Sequence, residues 1–380
     1  MPLVDDAESL ARDLADDLPL SERTERLDAL IAEMKGASRD ELDRAAGVLL
    51  PAIAYDDPYG AGLAALAIGC LVEFGADPKP GFEAITRRLS SVVDGAIRFV
   101  TLCREDLRDD AGDDSDFEPR ILDNHSTAAI GNTFVGTTFL ETMAMRDPTG
   151  ARAWDRLDDW FRPLIALASR DETLLQAARN NARLCEALRR LEAVDEMSFV
   201  SITSLANTRT GARLAELLAL ADLAVVVIHI ASTRGFRVRT KNVTSGGQLH
   251  SLVASTLLAR GVAGAAHPPD EEELAVFRGD GPQTLPRLSY PTWAAFPYTA
   301  LRTNGTLPDP IPGETIETTV PSAIPALRGE RIVLLGGAPH SKQNWRTQRS
   351  FDGLRASLAV EELSREDVKR LLREITSQNT

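Results

Sequence analysis

LAVVVIHIASTRGFRVRTKNV, residues 223–243, is where the texture of this 380-residue chain changes. Its first half, Leu223–Ile230, is a β-branched run followed by the turn residues Ser232, Thr233, Arg234 and Gly235. Its second half alternates, with Phe236 and Val238 on one side and Arg237, Arg239 and Lys241 on the other. Runs of that length and period predict the two strands of a hairpin with one cationic face. N-terminal to it, apolar residues recur at helical spacing between Gly, Pro and Asp turns. The reading therefore divides the chain near residue 222.

Charge changes sign at the same place. Residues 1–222 hold 24 Lys and Arg against 41 Asp and Glu, and residues 223–380 hold 18 against 15, for a net charge of −14. That balance argues against bulk nucleic-acid binding, and the length suits two domains. Cys70, Cys103 and Cys185 are far apart and lack metal spacing, so free thiols in a reducing compartment are expected. Residues 1–6 lack the basic start of a signal peptide, and no uncharged apolar run reaches about 18 residues. A cytoplasmic protein with no membrane span is the expectation.

Residues 1–222 read as an α-helical domain, a solenoid or irregular bundle of short helices. Ser38 with Glu41 forms a capping box, Pro58–Phe74 is a helix stopped by Gly75, and Pro80–Leu89 and Val92–Leu107 are two more. Glu105–Glu118 carries eight acids and one Arg without the spacing of a calcium loop. It reads as a solvated loop, and no metal or cofactor is expected.

Residues 223–380 read as a mixed α/β domain. A helix spans Gln248–Arg260, and Asp270 with Glu273 opens another. Nine prolines between Gly279 and Glu330, with Trp293, Phe296 and Tyr298 among them, mark a long wrapping loop. Arg331–Gly337 and Arg355–Leu363 read as strands, and Ser364 opens the last helix. Strand, turn, strand, helix thus occurs twice, which predicts a sheet of about four strands with helices on one face. The fold class is α+β.

Several segments resemble an uncharacterised bacterial family with an α-helical N-terminal region and a mixed C-terminal one. They are DPYGAGLAALAIG (57–69), RGFRVR (234–239), QLHSLVASTLL (248–258), VPSAIP (320–325), RIVLLG (331–336) and NWRTQRSFDGLRASLAVEE (344–362). The resemblance implies one architecture across most of the chain and no particular reaction. It also implies a polar Asp-Asn-aromatic run before Gln-Leu-His, where this chain has Ser245-Gly246-Gly247.

Familiar catalytic and phosphate-loop motifs are absent, and the chain has five histidines. The leading ligand constellation is Arg237, Arg239, Lys241, Gly246, Gly247, Gln248 and His250: a cationic strand, a Gly turn and a helix N-terminus, which suit an anion. A second cluster, His340, Lys342, Trp345, Arg346 and Arg349, follows the RIVLLGG strand, and its Trp suits stacking. His125 and His229 read as structural. These features favour a non-enzymatic interaction protein with a basic module for an acidic protein or small anion. An enzyme using His250 or His340 with an Arg clamp, and a nucleic-acid binder using the hairpin, are the alternatives. A fragment of residues 1–222 should give a helix-dominated circular dichroism spectrum, and a sheet-dominated one would refute the division.

Overall fold

The computed structural model describes residues 2–16, 20–111, 127–130, 133–195, 200–201, 205–220, 222–310, 315–316, 319–337, 339 and 344–378. The chain divides into two compact units, Met1–Ala219 and Leu220–Thr380.

The first unit contains α1 (Pro2–Ala15), α2 (Leu20–Met34), α3 (Arg39–Leu49), α4 (Pro58–Phe74) and α5 (Pro78–Ala111). After these come β1 (Thr127–Ile130), β2 (Thr133–Gly136), α6 (Thr137–Arg146), α7 (Pro148–Asp155), α8 (Asp158–Arg170), α9 (Glu172–Asn180), α10 (Ala182–Asp195), β3 (Val200–Ser201) and α11 (Leu205–Ala219). The expected capping box at Ser38 and Glu41 is present, and Asp57 caps α4 through the N–H groups of Tyr59 and Gly60. Two expectations change. Residues 80–107 are one helix within α5, because the buried stripe Phe82, Ile85, Leu89, Val93, Ala96, Phe99 and Cys103 runs on through Ser90 and Ser91 and past Gly95. The unit is also not purely helical, since β2, β1 and β3 form a small antiparallel sheet. Strands this short carry too little periodicity to be read from sequence.

α4 is the hub of this unit, with burial on all sides. Its glycines let α8 approach closely. A methyl group at Gly69 would stand 2.7 Å from Pro163, and one at Gly62 would stand 3.1 Å from the Trp160 indole nitrogen. The two glycines lie seven residues, about two turns, apart and so share a face. Cys103 is buried and Cys70 half-buried, and burial pushes their thiols up to about 12 and about 11.

The second unit contains β4 (Ala224–His229), β5 (Arg234–Lys241), α12 (Gly246–Ala259), α13 (Glu271–Arg278), β6 (Thr284–Ser289) and β7 (Ala295–Pro297). It ends with β8 (Ala326–Leu327), β9 (Glu330–Leu335), β10 (Trp345–Gln348), β11 (Ser357–Glu362) and α14 (Arg365–Gln378). The main sheet runs β11-β5-β4-β9-β7, with β8 also on β9, so it has six strands rather than about four. Among the described residues only β4 and β9 pair in parallel; β5 is antiparallel to both β4 and β11. The extra strands, β7 and β8, come from the proline-rich stretch, where Pro297 and the short lengths hide them. β6 and β10 form a separate antiparallel pair.

The sheet is covered on both faces, not one. Val225, Val227, Phe236 and Val238 pack with Leu249, Leu252, Val253 and Leu257 of α12, with Phe277 of α13 and with Trp293. Val226, Ile228, Ile332 and Leu334 pack with Val368, Leu371 and Ile375 of α14. The expected repeat of a strand–turn–strand–helix unit does not form. β9 lies beside β4, while β11 goes to the far edge beside β5. The fold class is α+β, with a helix-rich N-terminal unit and a mixed C-terminal one. No described helix is long and apolar enough to cross a membrane.

Gly69→Ala should lower unfolding stability by about 1–3 kcal/mol, because the added methyl has no room against Pro163. Gly47→Ala, in a helix and with nothing within 4 Å, should raise it by up to about 1 kcal/mol. Denaturant midpoints of the two variants check the pair, and equal effects would overturn the account of the α4–α8 contact.

Candidate functional site

The alternation that makes β5 a strand also divides the leading constellation. Phe236 and Val238 face α12, so Arg237, Arg239 and Lys241 extend from the opposite face, the one that α14 covers further along. They are not brought to the N-terminus of α12. Arg237 donates to Glu330 at 2.8 Å, and Arg234 grips Glu362 through Nε at 2.7 Å and Nη2 at 2.9 Å. Arg239 and Lys241 are exposed.

The N-terminus of α12 is built into the interior. Gly246, Gly247 and Gln248 are helical rather than a free turn, and all three are buried. Ser245 caps by accepting from Gln248 N–H, and Gly246 N–H donates to Thr319 O at 2.7 Å. A methyl at Gly246 would collide with Ile316 O, and one at Gly247 would stand 2.9 Å from the Trp345 indole. Both glycines therefore serve close packing. The Gln248 amide is engaged at both ends: Oε1 accepts from Thr244 N–H and Oγ1–H, and Nε2 donates to Phe277 O at 2.6 Å.

Two of the sequence clusters do meet, through Trp345 and His250. Their ring centroids are 5.7 Å apart, edge to face. His250 Nε2 accepts from Thr292 N–H at 2.9 Å, which puts the proton of the neutral ring on Nδ1. Burial holds this imidazole down to about 4. It serves as a buried acceptor, which does not suit the alternative in which His250 is an acid/base. Arg349 is also structural: it is buried and donates to Val276 O, Gly281 O and Asp352. Arg346 is exposed on β10. His340, Lys342, His125 and most of the acidic stretch after Glu105 lie outside the described residues.

Sequence reading missed a buried polar seam between α12, α13, β6 and β10. Glu273 was expected to close a capping box with Asp270. Asp270 does accept from Glu273 N–H, but the Glu273 carboxylate turns inward and accepts from Ser251 Oγ at 2.8 Å. Burial raises its pKa above the ordinary value against the hydrogen bonds from Ser251 and Ser289. Ser289 and Thr347 share a 2.5 Å hydroxyl contact beside it. His229, read as structural, is buried with its Nδ1 2.7 Å from Ser232 Oγ and its ring packed on Trp293. Burial, then the Arg234 charge, lowers its pKa. Among the described residues no three His, Cys, Asp or Glu side chains are grouped to hold a metal ion. No family model, curated protein or solved structure matches this chain.

His250 makes stability pH-dependent in a defined direction. Its pKa falls from an ordinary 6.5 to about 4 in the fold, so protonation favours unfolding. Its contribution is complete above pH 6.5 and is lost as pH falls towards 4, on the order of 3 kcal/mol. His250→Gln keeps an acceptor for Thr292 but does not titrate. Chemical unfolding at pH 7 and pH 4.5 should show a smaller pH loss in this variant than in wild type.

Proposed function

We propose that the chain is an interaction protein whose second unit recognises an acidic partner through the open end of the α14-side sheet face. Arg239 carries the reading. It is exposed, makes no hydrogen bond or ion pair among the described residues, and is flanked across the sheet by exposed Ala224 and Ala359. Lys241, two residues on, projects from the same face about 7 Å away. The neighbouring row belongs to the covered part, because Arg237 stands opposite Val226, which packs in the α14 core.

Small flanking side chains leave the two cations accessible to a carboxylate-bearing chain laid across the strands. A compact anion held by a helix N-terminus finds less support, because the first turn of α12 is buried and capped. The enzyme alternative loses support where His250 is buried and neutral and the Arg clamp is committed to Glu330 and to backbone carbonyls. The nucleic-acid alternative loses its stacking group, since Trp345 packs inward on His250 and Gly247.

Fluorescence anisotropy with a labelled poly-glutamate peptide tests the reading. Wild type should bind with an affinity that falls as salt rises, since exposed charge pairs are screened. The double change Arg239→Glu, Lys241→Glu should weaken binding at least tenfold. Arg346→Glu should leave it unaltered. Equal loss in all variants, or no binding by wild type, would overturn the proposal.

A further inference from the structure

A strand edge is a row of backbone donors and acceptors that another strand can take, so folded chains blunt their edges. Most strands of the second unit follow that rule. β7 is three residues long and ends in Pro297, and β8 has two residues. In the β6–β10 pair, β6 contains Pro286, and the register shifts between Arg346 and Gln348. β11 is the exception. It runs for six residues without Pro or Gly and keeps an unbroken register against β5. It also ends the main sheet, with no further described strand beside it. Ser357, Ala359, Glu361 and Glu362 are exposed, and Leu358 and Val360 are half-buried.

The ladder shows which groups this edge offers. Leu363 N–H donates to Gly235 O at 2.8 Å, one step beyond the Glu362–Phe236 pair. Antiparallel bonding alternates along a strand. Ser357, Ala359 and Glu361 therefore bond to β5, and Leu358, Val360 and Glu362 turn their N–H and C=O groups outward. The Val360 carbonyl agrees, since it accepts from Arg260 Nη2 at 2.7 Å. Side chains divide the same way. Leu358 and Val360 pack towards the α12 core, so Ser357, Ala359 and Glu361 face the α14 side. Glu361 makes no hydrogen bond or ion pair among the described residues.

We propose that β11 pairs with β11 of a second copy of this chain, antiparallel about a two-fold axis at Ala359, joining the two main sheets into one. A two-fold contact must be complementary to itself, and this one is. Leu358 of each copy stands opposite Val360 of the other. Both residues face outward, so they exchange backbone hydrogen bonds and set apolar against apolar. The exposed Arg260 side chain yields the Val360 carbonyl to the second copy's Leu358 N–H. On the other face Glu361 stands opposite Ser357 of the second copy, and that Ser357 stands opposite Lys241 in its own sheet. Glu361 and that Lys241 are two strand spacings apart, about 10 Å, and the small serine between them lets their side chains meet. Symmetry supplies this ion pair twice. Moving the axis to Val360 would set Glu362, already held by Arg234, against Leu358. The inference does not rest on the acidic-partner reading, which Arg239 carries; Arg239 of each copy borders the two opposed alanines.

Oxidative cross-linking of the Ala359→Cys protein tests it. Directly opposed, non-hydrogen-bonded residues have Cα atoms about 4.5 Å apart, within the span of about 4.4–6.8 Å that a disulfide bridges. Non-reducing electrophoresis should show a linked dimer well above the wild-type level set by Cys70, Cys103 and Cys185. Ser357→Cys, whose two symmetry-related positions lie far apart, should show none above that level. In sedimentation equilibrium wild type should dimerise, and Glu361→Lys or Lys241→Glu should each weaken the dimer about tenfold, because each creates two like-charge rows. Combining the two changes should restore it, and Arg346→Glu should leave it unaltered. Three results would overturn the proposal: a monomer at every concentration with no Ala359→Cys dimer, a dimer that Ala359→Cys does not link, or a charge swap that restores nothing.

Discussion

Beyond its first residue, Ala224, β4 has no side or edge that reaches water. Val225, Val226, Val227 and Ile228 are all at most 2% exposed, and both backbone edges are taken, by β5 and by β9. A strand in that position must be apolar at consecutive residues rather than at alternate ones, because each face needs its own packing layer. Leu223–Ile230 meets this condition, and the layers follow from it. α12, α13 and Trp293 cover one side, and α14 with Leu301 and Leu327 covers the other. Register against β4 then fixes which residues of β5 face which layer. It sends Phe236 and Val238 inward beneath α12 and puts Arg237, Arg239 and Lys241 on the other face.

Three buried indole edges lie against glycines, and the comparison among them is informative. Trp160 meets Gly62, Trp345 meets Gly247 and Trp293 meets Gly264. None of the three indole N–H groups has a partner among the described residues. At Gly62 and Gly247 an added methyl would come within about 3 Å, so glycine is required for contact and the aromatic area buried outweighs one unmatched donor. At Gly264 the methyl would fit without a clash. Gly264 is instead explained by its backbone, which at φ +88° lies in the left-handed region that favours glycine.

The architecture was legible where a periodicity was long and its ends were punctuated. The capping box at Ser38, the helix closed by Gly75 and the β4–β5 hairpin all have strong local signals. The single long α5 was obscured because Ser90 and Ser91 resemble a break, whereas the apolar stripe runs through them. The candidate site was less legible, because its deciding facts are non-local. Nothing near His250 in sequence announces that Thr292 will fill its acceptor, and nothing near Glu273 announces Ser251. Arg234 and Arg237, successive cations of the hairpin, also point to opposite sides of the sheet.

That last fact changes how the hairpin's charge should be weighed. Arg234 is held bidentately by Glu362 and also reaches Arg260 O, so three donor directions are committed. The Arg237–Glu330 pair is joined by a single hydrogen bond, and both side chains are more than a third exposed, 38% and 44%. An exposed pair of this kind contributes at most about 1 kcal/mol. An acidic group arriving beside Arg239 therefore competes with Glu330 for Arg237 on nearly equal terms. Exchanging one carboxylate for another there leaves the α14 core untouched, because Val226 and not Arg237 packs into it. On the proposed reading the cationic surface then runs from exposed Arg239 to half-exposed Arg237, and it does so without unfolding any part of the sheet.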